Sequence, residues 1–409
     1  MIEPKLFKNL YNLEHRPVKT YKFDLKNFKN FLKEFSSPEN SIGKIIHVAG
    51  TNGKGSVVGI ISQILIESSY RVGTYTSPHI KYVNERIKLN NKMISDKDFE
   101  RYERIIYEKI KNKNKDYRTF FEAITTLAFL YFKEKKVDYS VLEVGLGGRL
   151  DSTNVVEQSI SVVTKIDYDH THLLGDTIEK IAYEKGGIIK KNSVVFTFKQ
   201  NKKVLEVLKG IADKRKSEFI VVDTTDYVRK GDGFVYKNEF FKFQHPYSYQ
   251  VENAILSLNV AKFLGVDEKN IKKGVENFKI EGRGEIVSKN PFVIVDGSHN
   301  PAAVERTLKE LKYLYPEKKI NTISVFMADK DYKKSIQILK KYASKVFLTE
   351  IDFFRCARID DYRKIKGINL FKKPEDAFEN ALEKDSITLF IGSFYLIEKA
   401  KSIVKDYGF

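Results

Sequence analysis

Across 409 residues the chain has one cysteine, no tryptophan, nine prolines and three methionines. The single thiol, Cys356, cannot close an intrachain disulfide and argues against a Cys/His structural zinc site; together these favour a reducing cytoplasm. Long apolar runs are also lacking, since charge breaks every hydrophobic stretch well short of the roughly 20 residues that span a bilayer. The N-terminal run MIEPKLFKNLYNLEH mixes acids, bases and proline where a signal peptide needs an apolar segment. What remains is a globular composition, 42% hydrophobic and 13% aromatic. At roughly 100 to 200 residues per domain, the length predicts two domains, or one large and one small.

The net charge of +18 invites a nucleic-acid reading. Its distribution argues against one. Acids interleave with bases in EKIKNKNKDYR, KEKKVD and LKYLYPEKK, as on solvated helix faces, and no zinc-finger or RRM signature is present.

From about Gly43, short β-branched runs alternate with longer helical patterns, the signature of βαβ units around a parallel sheet. KIIHVAG precedes a helix over about Lys54 to Ser69, with Val57, Ile60, Ile61, Ile64 and Leu65 on one face. Strands follow at YRVGTYT, VDYSVLEVG, ISVVTKI and NSVVFTF, with helices around Phe121 to Lys133 and Thr177 to Lys185. The stretch Glu218 to Phe243 alternates and carries a Gly-Asp-Gly turn, predicting antiparallel β, and a helix over about Tyr249 to Phe263 closes the first domain. Glu281-Gly282-Arg283-Gly284 reads as a linker. A second βα series follows, a smaller Rossmann-like domain. The predicted division is therefore 1–280, a linker at 281–285, and 286–409.

The strongest local signal is His47-Val-Ala-Gly50-Thr51-Asn52-Gly53-Lys54-Gly55-Ser56, between a strand and a helix. Its glycines let backbone N–H groups face an anion, the helix N-terminus adds a favourable dipole, Lys54 supplies a point charge, and Ser56 is a hydroxyl for Mg²⁺. The spacing departs from G-x-x-x-x-G-K-[ST]. Glu143 ends an apolar strand before a glycine-rich loop, a position suited to a nucleotide's Mg²⁺ and equally to a solvated strand end. Ser77-Pro78-His79, with Asn84, Glu85 and Arg86 after it, also follows a strand. A third cluster, Asp167, Asp169, His170, His172 and Asp176, precedes Glu184-Lys185-Gly186-Gly187 and points to metal or phosphate work, without the i, i+4 histidine spacing of a zinc helix.

Together HVAGTNGKGSV, SPH followed by NERI, LEVGLGGRLDSTN, DH-T-LG-T, IA-EKGGI and DGSHNPAA resemble folylpolyglutamate synthase and dihydrofolate synthase, members of the Mur ligase superfamily. The resemblance runs from about Lys44 to the C-terminus. It implies an α/β fold: a P-loop domain of Mur-ligase type with a parallel sheet, a smaller C-terminal Rossmann-like domain, and an active site in the cleft between them. It also implies a cytoplasmic, monomeric, ATP-dependent amide ligase that binds neither nucleic acid nor membrane. That enzyme adds L-glutamate to dihydropteroate, to the γ-carboxylate of folates, or to both, through an acyl phosphate.

By the same resemblance Gly53, Lys54, Gly55 and Ser56 bind ATP phosphates, and Ser77 and Glu143 hold a first Mg²⁺. His170 ligates a second, next to Lys185 as a carbamate, because an ammonium between two Mg²⁺ ions would be repelled. Gln250 and Asn253 match the stretch that meets adenine, Arg283 a phosphate-contacting linker arginine, and Asp296 the ribose-binding acid, with His299 beside it. Thr119, Phe120, Phe121, Leu150, Asp151 and Ser152 match the pterin-substrate region. The catalytic set implied is Lys54, His170, Lys185 and Arg283. Two departures stand out: Glu281 replaces the linker proline, which loosens the backbone before Arg283 and adds charge near it, and TYKFDLKNFKNFLKEF matches poorly. The rival within the superfamily, a ligase joining an amino acid to a UDP-sugar peptide, needs a domain ahead of the P-loop that the 46 residues before His47 do not hold. The rival of another class, a basic nucleic-acid-binding protein, leaves EKGGI and DGSHNP unexplained.

Overall fold

The alternating pattern folds into two α/β units. The computed structural model describes residues 24–113, 118–245 and 247–409; the N-terminal run read for a signal segment lies outside the described residues, as does part of EKIKNKNKDYR. One unit comprises Met1–Gln244 and Tyr249–Phe278, the other His245–Ser248 and Lys279–Phe409.

The first unit is built on eight strands: β1 (Lys44–Ala49), β2 (Val72–Tyr75), β3 (Ile87–Leu89), β4 (Lys92–Met93), β5 (Tyr139–Glu143), β6 (Ile160–Val163), β7 (Val194–Phe198) and β8 (Glu218–Val222). Their order is β4-β3-β2-β5-β1-β6-β7-β8, parallel from β2 to β8, with β3 and β4 antiparallel at one edge. Buried β-branched runs such as KIIHVA and VVFTF suit central parallel strands, which are covered on both faces. Glu218–Val222, expected in an antiparallel segment, instead joins the main sheet parallel to β7, because the helix Lys202–Lys214 provides the crossover. Only β9 (Tyr227–Lys230), β10 (Gly233–Tyr236) and β11 (Glu239–Lys242) form an antiparallel sheet, with the expected turn between β9 and β10.

The helix after β1 spans Lys54–Glu67 and buries Val57, Val58, Ile60, Ile61, Ile64 and Leu65, more than one stripe. The reason is a second cover. Helix Glu268–Asn277, which the sequence pattern does not announce, crosses it so closely that a Cβ on Gly274 would lie 2.5 Å from Ile64 Cα. The domain therefore does not close at the helix Ser248–Phe263. Within the poorly matching N-terminal segment, Leu25–Lys33 is a helix capped by Asp24, with Phe28, Phe31 and Leu32 in the core.

The second unit holds β12 (Arg283–Lys289), β13 (Phe292–Asp296), β14 (Lys319–Ser324), β15 (Lys345–Leu348), β16 (Asn369–Leu370) and β17 (Ser386–Ile391), ordered β12-β13-β17-β14-β15-β16. All pairs are parallel except β12 with β13. Arg283 and Gly284, read as linker, thus begin a sheet-edge strand. No helix among the described residues is long and apolar enough to cross a membrane.

The crossing at Gly274 makes a prediction. Gly274→Val forces the P-loop helix away from its cover and should destabilise the protein by about 1–3 kcal/mol, the usual cost of overpacking. Thermal unfolding checks it, and an unchanged midpoint would remove this contact as a constraint on the P-loop helix.

Candidate active site

β1 delivers the glycine-rich loop to the C-terminal edge of the sheet, where open α/β sheets bind ligands. Backbone groups clip the loop to the end of β6: Thr51 N and Asn52 N donate to Lys165 O at 2.8 and 3.2 Å. Thr51 Oγ1 donates to Asp167 O and accepts from Asp167 N, both at 3.0 Å. Gly53 has φ +93°, and Asn253 Oδ1 stands 2.6 Å from where a Cβ would be, so a side chain fits neither the backbone nor the space. Lys54 Nζ folds back to Gly50 O at 3.2 Å, and Lys185 Nζ, from helix Ile178–Gly186, donates to the same carbonyl at 2.9 Å. Two ammonium groups on one carbonyl make the loop mouth electropositive.

Glu143 ends β5 directly opposite Val48 of β1. Its Oε2 accepts from Ser77 N at 3.1 Å and lies 3.4 Å from where a Cβ on Gly55 would stand. The carboxylate therefore bridges the loop after β2 and the first turn of the P-loop helix, next to buried Ser56. His170 occupies a left-handed conformation (φ 50°) at the head of helix Thr171–Leu174, which costs energy in a non-glycine residue. Its N–H donates to Asp169 Oδ1 at 2.9 Å, and its Nε2 lies 3.9 Å from that oxygen. Among the described residues, no three His, Cys, Asp or Glu side chains converge as a ready cation site. One carboxylate beside serine hydroxyls fits Mg²⁺ that arrives on phosphates, because that ion is typically held by one or two carboxylates plus substrate oxygens.

The substrate-matching residues divide by role. Thr119 is the N-cap of helix Phe120–Glu134, accepting from Glu122 N at 3.1 Å while Glu122 Oε2 accepts from Thr119 N at 2.9 Å. Phe121 lays its ring over Gly145, where any side chain would overlap it, and stands 5.8 Å from the Tyr75 ring. Leu150 is exposed. Asp151 is buried and accepts from Leu146 N at 2.9 Å, Thr153 N at 3.0 Å and Thr153 Oγ1 at 2.5 Å, which shapes the loop; burial nevertheless raises its carboxyl above the usual range. Ser152 Oγ meets Thr125 Oγ1 at 3.3 Å, and Thr125 reaches Tyr75 OH at 3.1 Å.

Sequence reasoning missed the chain behind Asp151. Thr153 gives its proton to Asp151, so it accepts from His47 Nε2 at 2.8 Å, and burial followed by the Lys190 charge holds His47 neutral, well below the usual histidine range. Lys190 donates to Asn154 O and Oδ1 at 3.0 and 2.7 Å and is pulled down to about 8 by burial and Arg215. Gln250 Oε1 accepts from Asn253 Nδ2 at 3.3 Å, which leaves Gln250 Nε2 buried without an acceptor. His79, assigned nothing by sequence, accepts on Nδ1 from Arg86 Nε at 2.9 Å; burial and that charge lower it to about 3.

In the second unit the Arg283 guanidinium lies 4.3 Å from the Phe394 ring centroid, and the His299 ring stands 5.9 Å from the same ring. Arg283 pairs with Asp296 in register across β12 and β13. Asp296 Oδ1 accepts from Ser298 N at 2.9 Å, and His299 Nδ1 lies 3.0 Å from Gly297 O. Glu281, expected to load the backbone near Arg283 with charge, pairs with Lys401 at 2.9 Å.

Residues 48–261 match the Mur ligase middle domain, and residues 282–394 the Mur ligase glutamate ligase domain. The chain is 33% identical to the dihydrofolate synthase/folylpolyglutamate synthase of Bacillus subtilis, over 93% of this chain and 95% of that one. Among solved structures it is similar to Mycobacterium tuberculosis folylpolyglutamate synthase complexed with ADP and AMPPCP (25% identity, TM-score 0.86, 97% and 98% of the two chains). It is also similar to E. coli FolC in complex with DHPP and ADP (26% identity, TM-score 0.85, 98% of each chain).

The buried neutral His47 sets a pH dependence. The unfolded chain takes up a proton near pH 6.5 while the native state refuses it, so stability falls on acidification below that value by up to about 1.4 kcal/mol per pH unit. Urea unfolding between pH 5 and 7.5 should show this slope in the native protein and a shallower one in His47→Asn; equal slopes would exclude His47 as its source.

Proposed function

The chain belongs to the dihydrofolate synthase/folylpolyglutamate synthase family of Mur ligases, and on that premise we propose which residues carry its chemistry. The protein is an ATP-dependent ligase that joins L-glutamate through an amide to a pteroate or folate carboxylate. The observation that carries the site reading is Glu143, fixed between Ser77 N and the first turn of the Lys54 helix.

A carboxylate oxygen of the acyl substrate attacks the γ-phosphorus of ATP, ADP leaves, and an acyl phosphate results. The amino nitrogen of glutamate then attacks the acyl carbon, phosphate departs, and loss of a proton leaves the amide. The protein contributes position and charge. Backbone N–H groups of Gly53, Gly55 and Ser56 cradle the phosphates, and Lys54 swings from Gly50 O to the transferring group. Asn253, with the orphaned Gln250 amide beside it, meets the adenine. In the second unit the assigned nucleotide ligands are Arg283, placed over the Phe394 ring, and Asp296, with His299 beside it.

Mg²⁺ would neutralise charge on the phosphates, held by Ser56, Ser77 and Glu143 at one position and by His170 and carbamylated Lys185 at a second. Carbamylation joins CO₂ to Lys185 Nζ with loss of two protons, one that frees the amine and one on carbamate formation, and turns the ammonium now on Gly50 O into an anion. Phe121, Leu150, Asp151 and Ser152 flank the acyl substrate. Thr119 acts there through its cap, which sets the start of the Phe120–Glu134 helix. We take both dihydropteroate and tetrahydrofolate as acceptors, as the double name of the Bacillus subtilis relative supports.

Glutamate-dependent ADP release measured with dihydropteroate and with tetrahydrofolate in turn should be positive for both; release with one alone would restrict the activity to that acceptor. Lys54→Ala should fold normally and lose about 100- to 1,000-fold in kcat, the scale of one removed transition-state donor. In ¹³C-bicarbonate a carbamate resonance should appear in the native protein and vanish in Lys185→Ala. Its absence from the native protein would refute the modification.

A further inference from the structure

Arg86 is the part of the Ser77–Arg86 stretch to which no role has yet been given. It ends the short helix Val83–Arg86 and is 6% exposed. Its carbonyl is fixed by Thr76 N at 2.9 Å, and its Nε donates to His79 Nδ1 at 2.9 Å. The guanidinium carbon lies 5.4 Å from the Phe120 ring centroid. Among the described residues the hydrogen bonds end there: neither Nη group has a protein acceptor, and no carboxylate pairs with them.

The acids on this stretch and on the loops after β5 have other donors. Adjacent Glu85 accepts from Ile80 N, Lys81 N and Tyr82 N at 2.7, 2.8 and 2.6 Å. Glu143 is turned to Ser77 N, and Asp151 to the Leu146–Thr153 loop. A guanidinium withdrawn from water without a counter-charge is costly, and a fold that keeps one leaves a place for an anion. What surrounds this one is informative. Phe120 begins the helix assigned to the acyl substrate, and the Tyr75 hydroxyl senses the charges of both Arg86 and Glu143, which places the two within electrostatic range of one point at the end of β2.

We propose that Arg86 binds the reacting carboxylate of the acyl substrate, its two free Nη groups pairing with the two carboxylate oxygens. The inference rests on the amide-ligase reading above. Charge-assisted, bidentate pairing fixes the plane and position of the nucleophile before phosphoryl transfer, a task to which a lysine's single ammonium is poorly suited. His79 serves as the brace: by engaging Nε it turns the Nη edge outward from the loop. The positive charge also favours a carboxylate over its uncharged analogues, so Arg86 selects for the group that can be phosphorylated.

The test compares equilibrium binding of dihydropteroate with that of its decarboxylated analogue, in the presence of Mg²⁺ and a non-hydrolysable ATP analogue. The native protein should prefer the acid by about ten- to a hundredfold, the worth of a hydrogen-bonded charge pair. In Arg86→Gln that preference should collapse to within about threefold, with Arg86→Lys intermediate and ATP-analogue affinity unchanged in both. Equal loss for acid and analogue would assign Arg86 a structural role, and an undiminished preference in Arg86→Gln would also overturn the proposal. If neither variant binds the ATP analogue, the metal-free native protein decides: a preference of tenfold or more supports the assignment, and anything smaller, or no binding of the acid, ends it. Failure of the ligase reading is separate, because it appears as absent glutamate-dependent ADP release in the native protein.

Discussion

The register of β1 between its two parallel neighbours sets where the glycine-rich loop stands against Glu143 and the end of β6. Val48 lies opposite Glu143, and Ala49 opposite Val163, so the glycine-rich loop leaves the sheet between a carboxylate on one side and the Thr164–Asp167 stretch on the other. A slip of β1 by one residue would turn its own side chains to the opposite faces, take Val48 from opposite Glu143, and part Thr51 from Lys165 and Asp167. The register is protected because both faces are buried: Ile46 and Val48 under one layer of helices, His47 and its partner Thr153 under the other. Even the polar member of that strand serves it, since His47 is neutral and hydrogen-bonded to the loop that follows Glu143.

Electrostatics then act over short distances. Many of the chain's lysines are exposed and paired with acids, such as Lys180 with Asp176 and Lys209 with Asp213, and exposed pairs of this kind contribute little. The charges that matter are few and withdrawn from water: Lys54 and Lys185 on one carbonyl, and Arg86 against His79. In a site of reduced dielectric each outweighs several surface lysines. On the proposed reading a phosphate replaces the Gly50 carbonyl as the partner of Lys54 and a carboxylate pairs with Arg86, which a neutral ligand cannot do.

How much of this could be read beforehand depended on whether side chains or backbone did the work. The strand–glycine–lysine pattern announced the P-loop, and Glu143 at the end of an apolar run announced an acid at the sheet edge, because both are written in residue types at fixed spacing. The clip from Thr51 and Asn52 to Lys165 is made by main-chain atoms and leaves no mark in the sequence. Helix Glu268–Asn277 was hidden because EKNIKKGVEN reads as a charged surface run; only Ile271, Gly274 and Val275 face inward, and the glycine that permits the close crossing also lowers helix propensity. Thr119 matched the substrate region by resemblance, yet Thr119-Phe-Phe-Glu122 is also the pattern of a capping box, and the structure shows it forming one.

The linker shows the same principle in a departure. A proline before Gly282 would hold the backbone by fixing φ, and Glu281 offers no such restraint. The structure supplies it by hydrogen bonds instead: Gly282 N donates to Glu285 Oε2 at 2.7 Å, and Gly282 O accepts from Gly297 N at 2.8 Å. Lys401, on the helix Tyr395–Asp406, lies between Glu281 and Glu285, 2.9 and 2.8 Å from them, so a lysine from another element answers the extra acid. Arg283 is then oriented by the aromatic face of Phe394, which attracts its charge without consuming its N–H donors. A guanidinium held by a ring keeps its hydrogen-bonding edge for a phosphate, whereas one held by Glu281 would not. The replacement of proline is therefore compatible with the arginine's proposed task because the acid it introduces is answered by lysine.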